Sequence, residues 1–333
     1  MRRGRRHSAL SFHHMKRAMG SKQKVASAVE QLARQAIRDS LREVLRLLAK
    51  ATRRKPDNAE QTHQLRTATR RADAALLLFV DWLPRRRGRS MRKQVSEIRK
   101  KAGAVRDLDV LIRRLSRQAD PLPPNTLNWL QKRSASCRQT SASSLRHFGH
   151  SRPMKTLPEQ LRALRHRIHW RGEAEPPTLV ELGTEALGRL AEKYSLAIQA
   201  IGGDVEPSQQ LNRCHQVRIV GRCLRYTLEL LQGVLSEKLS EPVCERLSQL
   251  QDTLGELNDQ TMALRCFREW QADCGVEECR TSLGILADRE SASIAQRVAA
   301  IIAELPQATE QVLNLLREFI RQLPVVKLVG APS

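Results

Sequence analysis

From Lys24 to about Arg53 the chain holds neither proline nor glycine, and Val25, Val29, Leu32, Ile37, Leu41, Val44, Leu45 and Leu48 recur at helical intervals. That spacing predicts a long amphipathic helix. Pro56-Asp57-Asn58 supplies a stop and a fresh cap, and the next helical pattern runs to Trp82, where Pro84 ends it. Further periodic stretches predict helices near 92–118, 126–147 and 158–169, then near 178–201, 208–235, 241–271, 278–304 and 307–323. Between the two sets, Arg171-Gly-Glu-Ala-Glu-Pro-Pro177 ends the periodicity with two prolines and reads as a linker. No alternating run of useful length occurs, and the β-favouring aromatics are only 3% of residues, so the expected class is all-α.

The pattern also repeats at long range. His63-Gln-Leu-Arg66-Thr-Ala-Thr-Arg70-Arg71 and His215-Gln-Val-Arg218-Ile-Val-Gly-Arg222 share the spacing His-x-x-Arg-x-x-x-Arg and lie 152 positions apart. A second pair of strings keeps the same offset: Gly103 with Asp107, and Gly255 with Asp259. Two motifs that hold one offset across different helices argue for a duplication. The expected architecture is therefore a tandem duplication of two helical bundles with pseudo-twofold symmetry. It divides into a basic, disordered tail over 1–23, a first half over 24–170, the linker 171–177, a second half over 178–325 and a C-terminal tail over 326–333.

Charge narrows the class of partner. Lys and Arg number 58 against 35 Asp and Glu, a formal net charge of +23, so a polyanion is the first expectation. Nucleic acid, an anionic membrane surface and inorganic polyphosphate all satisfy it. No stretch approaches a membrane-spanning length of apolar residues, and the basic start Met-Arg-Arg-Gly-Arg-Arg-His is followed by no secretory apolar core, so it reads as a solvated tail. The seven cysteines are odd in number and include no Cys-x-x-Cys pair. They suit reduced thiols of a cytoplasmic protein, buried as small hydrophobes.

On a helix turning about 100° per residue, His63, Arg66 and Arg70 fall within an arc of roughly 60°, with Leu65, Ala68, Ala72, Ala75, Leu76 and Phe79 opposite. Arg225 extends the second stripe to an arc of about 80° and a length of roughly 15 Å. Like charges at such spacings destabilise a helix by about 0.2–0.5 kcal/mol per pair, a repulsion that an anion with charges in series relieves. Guanidinium groups offer paired donors to phosphate oxygens, and a histidine at the end of the rail adds one more. We expect the rails to line one basic channel between the halves. The plainer alternative is that the histidines bond neighbouring carbonyls or carboxylates and the arginines pair with acids on adjacent helices. Asp107 and Asp259 fit two roles, fixing an arginine or histidine of the preceding helix or forming purely structural ion pairs. Gly103 and Gly255, each unfavourable in a helix by about 1 kcal/mol against alanine, read as packing residues at a close helix approach. The run Arg85-Arg86-Arg87-Gly88-Arg89 reads either as a solvated loop or as a rim for anion capture.

Together these strings resemble the CHAD family, the conserved-histidine α-helical domain, from about Val25 to Leu323. The matching stretches are His63 to Arg71, Val105-Arg106-Asp107-Leu-Asp109-Val, His215 with Arg218, Arg222 and Arg225-Tyr226-Thr-Leu-Glu229, and Leu250 to Asp259. The resemblance implies two helical bundles around a basic channel, binding of inorganic polyphosphate and association with polyphosphate granules. Carried over by position, the implied ligands are His63, Arg66, Arg70, Arg106, His215, Arg218, Arg222 and Arg225, with Asp107, Asp259, Tyr226, Gly103 and Gly255 in supporting roles. One departure stands out: where the family usually has a first-half arginine matching Arg225, this chain has Asp73.

No enzyme is expected. One histidine per half lacks the paired spacing of a helical metal centre, and neither a phosphate-binding Gly-x-x-x-x-Gly-Lys loop nor a nucleophile triad is present, so no metal or cofactor is expected. Two alternatives remain. The positive charge suits nonspecific binding of RNA or DNA, although no recognition module and few aromatics for base stacking accompany it. A granule-associated scaffold that docks partner proteins is the other.

Overall fold

In a computed structural model of the chain, residues 9–53, 59–117, 122–201, 206–232 and 237–322 are described, with side chains from Ala28 onward except at 232 and 237–239. Among these residues the regular elements are helices, with no strand: α1 (Ala9–Ala51), α2 (Ala59–Leu78), α3 (Arg85–Ser116), α4 (Pro124–Gly149), α5 (Arg152–Arg165), α6 (Leu179–Gln199), α7 (Pro207–Gln232), α8 (Glu237–Asp273) and α9 (Glu277–Gln322). A short 3-10 turn over Val80–Trp82 closes α2.

Apolar stripes at helical spacing put each helix in place. Val29, Ala33, Ile37, Leu41, Val44 and Leu48 of α1 are buried, as are Leu65, Ala68, Ala72, Ala75 and Leu76 of α2. α1 packs on α2, α2 on α3 and α3 on α4, and in the second set α6 packs on α7, α7 on α8 and α8 on α9. The two sets meet along α2 with α7, α3 with α8 and α4 with α9. Leu108, Leu111 and Leu130 from α3 and α4 share one apolar cluster with Phe267, Trp270, Leu283 and Leu286 from α8 and α9. α6 begins with a capping box: Thr178 Oγ1 accepts from the Glu181 amide at 3.2 Å, and the Thr178 amide donates to the Glu181 carboxylate at 2.7 Å.

Four boundaries differ from those the sequence pattern suggests. The disordered tail expected over 1–23 is helical from Ala9, because no proline interrupts the segment and the one glycine there, Gly20, weakens a helix by only about 1 kcal/mol; residues 1–8 lie outside the described residues. The arginine run at 85–89 is the first turn of α3, not a loop, with Pro84 at its N-cap. Pro158 sits inside α5, which is carried through it by the buried stripe Met154, Leu157, Leu161 and Leu164. The two helices expected at 278–304 and 307–323 are the single α9. Pro306 lies on its exposed side, while Leu305, Thr309, Val312 and Leu316 keep the buried face continuous past the missing amide. Residues 171–177, read from the sequence as a linker, form no helix, and the C-terminal tail over 326–333 lies outside the described residues. All seven cysteines are free thiols, three of them buried and four partly so.

Candidate anion-binding site between the two rail helices

The buried stripes of α2 and α7 turn the charged stripes of both helices toward a common space. Val217, Leu224 and Leu228 of α7 are buried, as Leu65, Ala68 and Ala72 are on α2. Arg66 and Arg70 from α2 and Arg218 and Arg222 from α7 accordingly line one cavity of about 580 Å³, walled on a third side by α3. An adjoining cavity of about 320 Å³ shares His215, Arg218, Asp107 and Asn258 with it, so the space continues past His215 along α8.

Two of the arginines lie on glycines. A Cβ on Gly103 would stand 3.8 Å from Arg66 Cζ, and one on Gly255 would stand 3.6 Å from Arg218 Nη2. The close approach at these glycines is thus an arginine side chain lying over the neighbouring helix; a methyl group would meet it at ordinary contact distance. In both arginines Nε is buried with no hydrogen-bond partner. The terminal nitrogens differ. Arg66 Nη1 donates to Asp107 at 2.7 Å, a contact that suits either role expected of that aspartate. Asp259 plays no such part for Arg218, for it receives only a 3.4 Å contact from the Asn258 amide and borders another cavity. Burial pushes the Asp259 carboxyl above its ordinary value, against the opposing pull of the Asn258 contact and Arg218. Asp109, the other acid of the first string, is buried and takes Arg138 Nε at 2.5 Å and the Thr62 hydroxyl at 3.3 Å, which ties α4 and α2 to α3.

The electrostatics are those of a partly buried cluster of like charges. Burial, followed by the neighbouring guanidiniums, lowers Arg70 to about 10 and Arg222 to about 9, and moves Arg218 in the same direction. All remain charged at neutral pH, and the lowering reflects burial first and the like charges second. His63 and His215 are exposed overall. Partial burial of the ring pushes both below the ordinary histidine value, with Arg106 the next cause at His63 and Arg222 at His215, so both are mainly neutral at pH 7.

Of the eight implied ligands, Arg66, Arg70, His215, Arg218 and Arg222 line the cavity. Arg106 borders a separate cleft of about 580 Å³ with Arg113, Arg117 and Asp259. His63 borders none of the cavities described here. Arg225 is engaged internally: it donates to the buried Tyr226 hydroxyl at 3.2 Å, lies 4.8 Å from the centre of that ring, and pairs with Glu229 at 3.5 Å. Glu229 also accepts from Arg71 of α2 at 3.1 Å, which fastens the two rail helices together. Three residues that the rail pattern does not reveal join the cavity: Arg99, Lys100 and Asn258. Arg99 and Lys100 lie one turn before Gly103 on α3, and that position was the available signal. Asp73 lines the cavity too, accepting from Arg92 at 2.9 Å and from Arg99 at 3.2 Å.

Among the described residues, no group of three or more His, Cys, Asp or Glu side chains is placed to hold a metal ion, and no helix is long and apolar enough to cross a membrane.

Comparison with known proteins places this geometry. The family model of the CHAD domain matches residues 35–268. Among solved structures, the CHAD domain from the plant Ricinus communis superposes with a TM-score of 0.66 at 18% identity, over 90% of this chain and 93% of that one. PptA from Streptomyces chartreusis superposes with a TM-score of 0.62 at 20% identity, over 86% of this chain and 99% of that one. These likenesses establish a shared fold. A search of curated proteins gives no match.

Proposed function

The chain belongs to the CHAD domain family, and from that premise we propose that it binds inorganic polyphosphate, without cleaving it, in the cavity between α2 and α7. The observation that carries this reading is the convergence of Arg66, Arg70, Arg218 and Arg222 on one cavity from two helices, two of them with a buried, unpartnered Nε. Clustering four guanidiniums is unfavourable unless an anion supplies the missing acceptors, and linked phosphates supply them in series. A chain of phosphates engages successive arginines at high effective concentration, so long chains bind better than orthophosphate. The 152-residue offset supports two duplicated bundles related by a pseudo-twofold axis, with one rail from each. A binding role without catalysis is supported by the predominance of cationic donors in the lining, where Arg99, Lys100 and His215 join the four rail arginines. Residence on polyphosphate granules in the cytoplasm follows from the same ligand.

The test is an anisotropy competition among labelled polyphosphate, duplex DNA and single-stranded RNA at several salt concentrations, for the wild type and for Arg218→Ala with Arg222→Ala. Polyphosphate is expected to persist at near-physiological salt, to outcompete both nucleic acids and to be lost in the double variant. Equal binding of all three polyanions, unchanged in the variant, overturns the reading and leaves a basic surface that serves some other partner.

A further inference from the structure

Position 73 on α2 carries a charge opposite to that of position 225, its counterpart 152 residues on in α7. The departure is confined to one end of the cavity and has a structural complement. The Asp73 side chain, 19% exposed, accepts from Arg92 Nε at 2.9 Å and from Arg99 Nη1 at 3.2 Å, both on α3. At the same offset the counterparts of Arg92 and Arg99 are Cys244 and Gln251, neither of them cationic. The first half thus lacks a cation on its rail helix and carries two on the neighbouring helix where the second half has none.

Of those two, Arg99 lines the cavity beside Arg66, Arg70, Arg218 and Arg222, and Arg92 does not. One carboxylate shared by two guanidiniums leaves the trio net positive. Each guanidinium has five N–H donors, and Asp73 engages only one nitrogen of Arg99; its other contact is a long one, 3.5 Å, from Nη2 to Ser96. Donors therefore remain for a second acceptor. The arrangement repeats one already present about two turns away, where Asp107 fixes Arg66 at the cavity wall through a single nitrogen. At the other end of the comparison, Arg225 is folded onto Tyr226 and Glu229 and is not among the residues lining the arginine cavity.

Resting on the polyphosphate reading, we propose that Arg99 is a phosphate-binding residue of the cavity, supplying from α3 the cation that position 73 lacks, and that Asp73 positions it. The charge of the first rail has moved from one helix to the next, and the acid at the vacated position holds the substitute in place.

The experiment titrates labelled long-chain inorganic polyphosphate with the full chain carrying Arg99→Gln, Arg99→Lys, or Asp73→Arg combined with Arg99→Gln. The last variant gives the first half the Arg225/Gln251 arrangement of the second. Arg99→Gln is expected to weaken binding about tenfold and to lower the slope of log affinity against log salt by about one, the signature of one lost phosphate contact. Arg99→Lys is expected to keep most of the affinity, and the double variant to regain most of it, because each places a cation at that end and the first half has Ala74 and Leu77 where Tyr226 and Glu229 withdraw Arg225. Arg92 still pairs with Asp73 in Arg99→Gln, so the melting temperature stays close to wild type. Wild-type binding by Arg99→Gln, while Arg218→Ala with Arg222→Ala still abolishes binding, overturns the proposal and makes Arg99 a structural partner of Asp73. So does a loss in Arg99→Lys as large as that in Arg99→Gln. If the Arg218/Arg222 variant also binds normally, the polyphosphate reading itself has failed, and this inference with it.

Discussion

On α2, Arg66 is held by Asp107 at 2.7 Å and the rail ends in Asp73, which collects two arginines from α3. On α7, the corresponding Arg218 has no carboxylate within ion-pair distance among the described residues, and the rail ends in Arg225, folded onto Tyr226 and Glu229. The two helices share a spacing and a glycine bed for the first arginine, yet they commit their charges differently. One half uses acids to fix cations at the cavity wall. The other leaves Arg218 and Arg222 facing the cavity with less countercharge and turns its last arginine inward to fasten α7 to α2 through Glu229. A repeated motif fixes which residues face a shared space. Whether each of them is available to a ligand depends on the acids that the neighbouring helices bring.

Removing one rail at a time sharpens that comparison most. Arg66→Ala with Arg70→Ala, and Arg218→Ala with Arg222→Ala, are each expected to weaken polyphosphate binding by about a hundredfold or more, since two charge-assisted contacts of about 1.5–3 kcal/mol disappear in either case. Titration calorimetry reads both. A change in one pair only breaks the idea of a cavity shared between halves.

Acid should strengthen binding through the histidine at the junction of the two cavities. His215 starts below its ordinary value because of partial burial and the guanidiniums of Arg222 and Arg218, and a bound polyanion raises it. Binding then takes up a proton, so affinity rises severalfold as pH falls from 8 toward 5.5 and levels off once the free protein is itself protonated. His215→Gln flattens this dependence. His63→Gln flattens it less, because His63 lines neither the arginine cavity nor the one adjoining it.

The two aspartates differ on a smaller scale, read by thermal melts without ligand. Asp107→Asn loses an ion pair that is 39% exposed on the acid side, a loss of about 0.2–1 kcal/mol. Asp259→Asn is expected to be neutral or stabilising at pH 7. Its folded carboxyl is raised above the unfolded value, so its contribution is favourable only in acid and is lost as pH rises through the folded value. The gain of the variant over wild type therefore vanishes below about pH 4. A clear loss at pH 7 would show that Asp259 pairs with Arg218 in solution.

The smallest effects are expected at the glycines. Gly103→Ala and Gly255→Ala place a methyl group 3.6–4.0 Å from a guanidinium, an ordinary contact, and gain about 1 kcal/mol of helix propensity. Melting points should rise slightly, and affinity should change by no more than a few-fold. A large loss of affinity at either position would mean that the arginine needs the glycine bed more closely than these distances show.

Much of this was legible in the sequence because it is periodic. Apolar spacing gave the helices, and the four arginines of the shared spacing, from Arg66 to Arg70 and from Arg218 to Arg222, line one cavity. What was not legible is non-periodic. Prolines 158 and 306 look like helix ends, but the apolar stripe continues past them, and the packing it permits outweighs the loss of one backbone hydrogen bond. The run at 85–89 looks like a loop because its side chains are charged, although arginine is a good helix former once Pro84 has set the turn. Arg225 continues the rail by spacing and is withdrawn by Tyr226, one position along, and by Glu229, one turn along.

By itself the sequence determined the helical class, the recurrence of one basic stripe 152 residues on, and a net charge of +23, because periodicity and net charge are properties of the chain alone. The tertiary structure decided the rest: that α2 and α7 lie against each other, that Asp73 faces Arg92 and Arg99, and that Asp259 makes no hydrogen bond to Arg218 among the described residues. Each of these depends on the distance between side chains remote in sequence, and electrostatic energy depends on that distance and on burial.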